Sequence, residues 1–87
     1  MKHYEITFVK KAKVEFESLD KSIRNRISAY LKDKVAQDPH SYGKNLSGNL
    51  NKYRRYRVGD YRIICEIKKQ ELIVFIVRIG HRKEVYD

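Results

Sequence analysis

The sequence has little of what rigid frameworks and membrane segments are made from. Among its 87 residues there is one cysteine, one proline and no tryptophan. A lone Cys65 excludes a disulfide framework and any thiol pair at metal-ligand spacing, and it points to a reducing compartment, the cytoplasm. Neither a metal nor another cofactor is expected. Apolar runs are short: Met1 is followed by Lys2, His3, Tyr4, Glu5 and Ile6, so neither a signal peptide nor a membrane span is expected. Acid is scarce as well. The 11 Asp and Glu stand against 20 Lys and Arg, a formal net charge of +9. Such an excess calls for a polyanion or an acidic protein as partner, and charge alone does not choose between them.

What is present is enough for one small core, so residues 1–87 are read as a single domain. Residues 2–8 alternate, with Tyr4, Ile6 and Phe8 on one side, as in a half-buried strand. The period then lengthens. Val9, Ala12, Phe16 and Leu19 fall three or four apart, predicting a short amphipathic helix. Asp20 suits the N-cap of a second helix, whose stripe is Ile23, Ile27, Leu31 and Val35, and Asp38-Pro39 ends it. Residues 40–51 read as an irregular connection anchored by Tyr42, Leu46 and Leu50. Three strands follow, at 52–58, 61–68 and 71–79, the last apolar on both faces and therefore central. The fold class is α+β, in the order strand, helix, helix, strand, strand, strand, with a helical hairpin packed on one face of the sheet.

The stretch around which this order is arranged is Tyr53-Arg54-Arg55-Tyr56-Arg57-Val58-Gly59-Asp60-Tyr61-Arg62. Gly59-Asp60 between two alternating runs predicts a two-residue hairpin with glycine first, as a type II′ turn prefers. That turn sets a register. Val58 opposes Tyr61, Arg57 opposes Arg62, Tyr56 opposes Ile63 and Arg55 opposes Ile64. Tyr56, Val58, Tyr61, Ile63 and Cys65 then face the helices, and Tyr53, Arg55, Arg57 and Arg62 the other way. Opposed residues have Cβ atoms only ~5 Å apart, and like charges there weaken a sheet. Arg57 against Arg62 therefore marks a place where an anion is meant to sit.

With Gly80-His81-Arg82-Lys83-Glu84-Val85-Tyr86 at the C-terminus, the hexapeptide from Arg57 to Arg62 resembles the RelE/ParE superfamily of toxin–antitoxin toxins, on its RelE-like side. The likeness spans essentially the whole chain. It implies a twisted antiparallel sheet holding two helices, and a metal-independent ribonuclease that cuts messenger RNA in the ribosomal decoding site, with contacts to ribosomal RNA. It also implies an acidic cognate antitoxin, with the toxin monomeric alone and oligomeric in that complex. By resemblance the catalytic set is Arg57, Arg62, His81, Arg82 and Tyr86, and the RNA-binding set Lys52, Tyr53 and Arg55. Arg62 matches the arginine at the cleaved phosphate, Arg82 the cation near the leaving oxygen, Tyr86 the tyrosine that stacks on the substrate, and His81 a terminal general acid.

Arg55 and Arg57 stand where RelE itself has lysines. Arginine stays charged near neutrality, so it neutralises a phosphorane well but is no proton acceptor. The base is open among His81, Tyr86, Tyr61 and alignment of the 2′-hydroxyl by the ribosome. Two further readings stay open: a ParE-like inhibitor of DNA gyrase, and a basic module that binds nucleic acid without cutting it.

Overall fold

The structure, a computed structural model, describes residues 3–81. Strand β1 (Glu5–Phe8) leads into helix α1 (Lys10–Glu17) and helix α2 (Lys21–Tyr30), which continues through a π-helical turn (Leu31–Val35). A connection with two short 3₁₀ turns carries a two-residue strand, β2 (Lys44–Asn45), and leads to β3 (Tyr53–Val58), β4 (Tyr61–Lys68) and β5 (Ile73–His81). The sheet order is β1-β5-β4-β3-β2. β5 is an interior strand, between β1 and β4, as its apolar run leads one to expect.

The expected element order holds, with differences that have physical causes. β1 runs parallel to β5, Ile6 beside Val74 and Phe8 beside Ile76, so the sheet is mixed rather than wholly antiparallel. Alternation shows which residues face a core, not which way a neighbouring strand runs. β2, within the supposedly irregular connection, pairs with β3 over only two rungs, too few to leave an alternating pattern. Asp20 occupies the N-cap of α2, but its carboxylate makes no capping bond.

The helices cover one face of the sheet. Ala12 from α1, with Ile27, Leu31 and Val35 from α2 and the turn after it, meet Tyr56, Ile63, Cys65, Val74, Ile76 and Ile79 in one core. Each large aliphatic side chain buried there contributes about 1.5–3 kcal/mol. Tyr56 is wholly enclosed and donates its hydroxyl hydrogen to the Pro39 carbonyl at 2.7 Å, tying the sheet to the end of the helical hairpin.

β1 is shorter than β5, so the outer edge of β5 loses its strand partner after Ile76. Glu15 of α1 takes over there. Its carboxylate accepts the Ile79 amide hydrogen at 2.8 Å and that of Arg78 Nε at 2.9 Å. An edge amide that would lack a partner is thereby satisfied. Beside it the β4–β5 register slips: Cys65 pairs with Ile76 and Ile64 with Arg78, leaving Val77 as the extra residue of a bulge. A one-residue slip exchanges the two faces for everything beyond it. Ile79 thus enters the core, and Arg78 joins the opposite face.

Candidate nucleic-acid interface

The β3–β4 hairpin has the register the turn predicts: Val58 opposes Tyr61, Arg57 opposes Arg62, Tyr56 opposes Ile63 and Arg55 opposes Ile64. Gly59 adopts φ +59, a value glycine reaches without strain, and Asp60 does not share it, which fits a type II′ turn. The Arg26 guanidinium of α2 lies against this turn, so that a Cβ on Gly59 would stand 3.1 Å from its Nη2. Sequence reasoning passed over Arg26, a polar position on a helix chosen for its apolar stripe.

Strand alternation puts Tyr53, Arg55, Arg57 and Arg62 on the face away from the helices. Lys44 joins them, because it is the ladder partner of Arg55. Two rungs of this surface therefore hold like charges opposite each other, Lys44 with Arg55 and Arg57 with Arg62. Arg57 is exposed, whereas Arg55 and Arg62 are half-buried, with the Arg62 Nε shielded from solvent. The cations thus gather on one face of the sheet. Lys52 places its Nζ 5.1 Å from the centre of the Tyr53 ring at the start of the same strand. Glu66, also on this face, is held by Lys68 at 3.1 Å.

Arg54 plays a different part. It points to the helix side, where Nε donates to the Tyr42 carbonyl at 2.8 Å and Nη1 to Asn45 Oδ1 at 2.7 Å. Its Nη2 donates to the His40 and Gly43 carbonyls, each at 3.1 Å. This arginine staples the connection before β2 to β3. The signal was available in the sequence: a cation on the core parity of a strand has to find polar partners.

By register His81 falls on the other face of the sheet from the arginine pair. Gly80 is the residue opposite Arg62, and His81 is opposite Tyr61, with the two rings edge to face at 5.7 Å. The bulge at Val77 is the cause, because it turns over the residues beyond it, so that Ile79 and His81 both face the helix side. Arg82 and Tyr86, the other terminal candidates, lie outside the described residues. Cys65 is fully buried, and desolvation pushes its thiol pKa far up, so it packs as an apolar group and does not act as a nucleophile. Among the described residues no group of three or more His, Cys, Asp or Glu converges as a metal site, and no helix is long and apolar enough to cross a membrane.

A family model described as the ParE toxin of type II toxin–antitoxin systems matches residues 6–86. A curated Escherichia coli protein named as a RelE-like toxin is 29% identical over 87 residues, covering 97% of this chain and 90% of its own length. A chain of the Mycobacterium tuberculosis RelBE2 toxin–antitoxin complex superposes with a TM-score of 0.87 at 25% identity, over 97% of each chain. The isolated RelE toxin of Escherichia coli has the same fold, with a TM-score of 0.78 and 20% identity over 90% of this chain and 83% of that one. In sequence from β1 to beyond β5, and in fold, the chain belongs to the RelE/ParE superfamily of toxins from type II toxin–antitoxin systems.

Proposed function

We propose that this toxin is a ribosome-dependent RNA endonuclease of the RelE kind. The observation that carries the reading is the Arg57–Arg62 rung, two cations held opposite each other with Arg55 on the same face. Such a rung opposes folding and favours an anion, and a phosphate undergoing attack gains negative charge. In the reaction, the 2′-hydroxyl oxygen attacks the adjacent phosphorus and gives up its proton. The bond to the 5′-oxygen breaks, and that oxygen takes a proton. The products are a 2′,3′-cyclic phosphate and a free 5′-hydroxyl. Guanidinium groups on the non-bridging oxygens stabilise the phosphorane and stay charged throughout. His81 faces the other side of the sheet, with Tyr61.

The excess of positive charge suits an acidic antitoxin, and the RelBE2 relative was solved as a toxin–antitoxin complex. Coexpression with the neighbouring open reading frame is expected to relieve toxicity.

A second reading, inhibition of DNA gyrase, is favoured by the ParE description of the matching family model. Primer-extension mapping of a reporter message after induction, with and without translation, separates the two. Cuts within codons that need translation and that vanish in Arg62→Ala are expected, with a loss of about 10²–10³-fold in rate for one lost charge stabiliser. Intact messages together with blocked supercoiling would reverse the assignment.

A further inference from the structure

Next to the Arg57–Arg62 rung, the strand edge opens into a cavity of about 360 Å³ lined by Tyr30, Gly43, Lys44, Arg55 and Arg57. The opening exists because β2 begins only at Lys44, opposite Arg55, so among the described residues β3 has no strand neighbour beside Arg57 on that edge. Its walls are rigid. Gly43, at φ +70, runs so close to β3 that a Cβ there would sit 2.7 Å from Tyr56 Cδ1 and closer still to the Arg55 carbonyl oxygen. Arg54 holds the Gly43 carbonyl from the other side at 3.1 Å. Tyr30 is fixed by edge-to-face contacts with Tyr42 and Tyr56, each at 6.2 Å. Three cations and a phenol line this one small cavity.

We propose that this cavity is a second phosphate subsite, which holds the RNA phosphate one nucleotide removed from the bond that is cut. The inference rests on the RNA-cutting reading and extends it. Two like-charge rungs share one face and meet diagonally across β3, Lys44–Arg55 toward β2 and Arg57–Arg62 toward β4, with Arg57 bordering the cavity. Arg55 and Arg57 are two residues apart on a strand, ~6.7 Å at about 3.3–3.4 Å per residue. Successive phosphates of an extended RNA strand repeat on that scale, so one rung serves each phosphate. The Lys44 ammonium supplies a point charge, Arg55 a bidentate fork and the Tyr30 hydroxyl a neutral donor. Burial raises the Tyr30 pKa further above its ordinary value, which keeps that donor protonated. A polynucleotide is favoured over the carboxylates of an acidic protein because the two rungs form a repeat, and the strand that fits it carries an anion at each unit.

The test uses translated messages in which a single linkage is a neutral methylphosphonate, placed next to the cut or several nucleotides away. With the unaltered chain, the neighbouring neutral linkage is expected to slow cutting about tenfold or more, the loss of a charge-assisted bond, and the distant one to have no effect. In Lys44→Gln and in Tyr30→Phe, both conservative on the fold, the charged message is cut more slowly and the neighbouring neutral linkage adds little further loss. An equal methylphosphonate penalty in unaltered and variant chains overturns the subsite and leaves the cutting reading intact. No cutting of a fully charged message by the unaltered chain overturns both. If Lys44→Gln weakens capture of the antitoxin and leaves the methylphosphonate penalty unchanged, the cavity belongs to the protein partner, and the proposal fails.

Discussion

Residues 53–66 build two faces from the same pair of strands, and the faces obey opposite rules. On the helix side, Tyr56, Ile63 and Cys65 are wholly buried, and the one cation of that parity in β3, Arg54, is consumed by hydrogen bonds to the preceding connection. On the other side, Arg55, Arg57 and Arg62 gather with Lys44, so that two neighbouring rungs oppose like charges. Packing accounts for every choice on the first face. On the second, alternation sets like charges opposite each other, an arrangement that by itself works against a sheet. The proposed function lies on the face where local stability is given up.

The largest effect is expected on the packed face. Ile63→Asp puts an unpaired carboxylate where no solvent reaches, and the chain, with a stability on the order of 5–15 kcal/mol, should lose its cooperative unfolding transition by circular dichroism. Arg54→Ala, on the same face, strands the carbonyls of His40, Tyr42 and Gly43. A loss of ~1–3 kcal/mol in urea denaturation is expected, with early exchange of the amides around β2. An unchanged midpoint would show that the connection holds itself in place.

How far these faces could be read from the sequence depends on what each relied on. The hairpin was legible because Gly59-Asp60 fixes a register and alternation does the rest, so the Arg57–Arg62 rung follows from the residue order alone. The helical hairpin was legible from its apolar spacing. The position of His81 was not, since it turns on the bulge at Val77, which lies within an apolar run and leaves no mark there. Without that slip His81 would share the parity of Arg62. The role of Glu15 was hidden for a similar reason: it depends on β1 ending before β5 does, a matter of tertiary arrangement. Lys44 was missed because a strand of two residues has no pattern.

Alkali should act on the packed face through Cys65 and Tyr56. Burial raises the pKa values of Cys65 and Tyr56 far above their ordinary values of 9.0 and 10.0. An acid with a raised folded-state pKa contributes its full stability below its ordinary value and loses it as pH rises. Unfolding free energy is therefore expected to be level up to about pH 9, then to fall by ~1.4 kcal/mol per pH unit for each of these groups that the unfolded chain has ionised. A Cys65→Ala chain should begin that fall about one pH unit later. A profile unchanged by the substitution would mean that the thiol titrates freely.

The smallest change in stability should carry the sharpest information. Arg57→Thr removes one of two opposed cations and installs a residue suited to a strand, so the unfolding free energy is expected to rise by about 0.2–1 kcal/mol. Measured on the same preparation, cutting of a translated message should fall by at least tenfold. A more stable domain that cuts less is the result this account predicts, because it identifies Arg57 as a residue kept for an anion against the interest of the fold. A variant that is less stable, or one that gains stability and cuts as before, would contradict it.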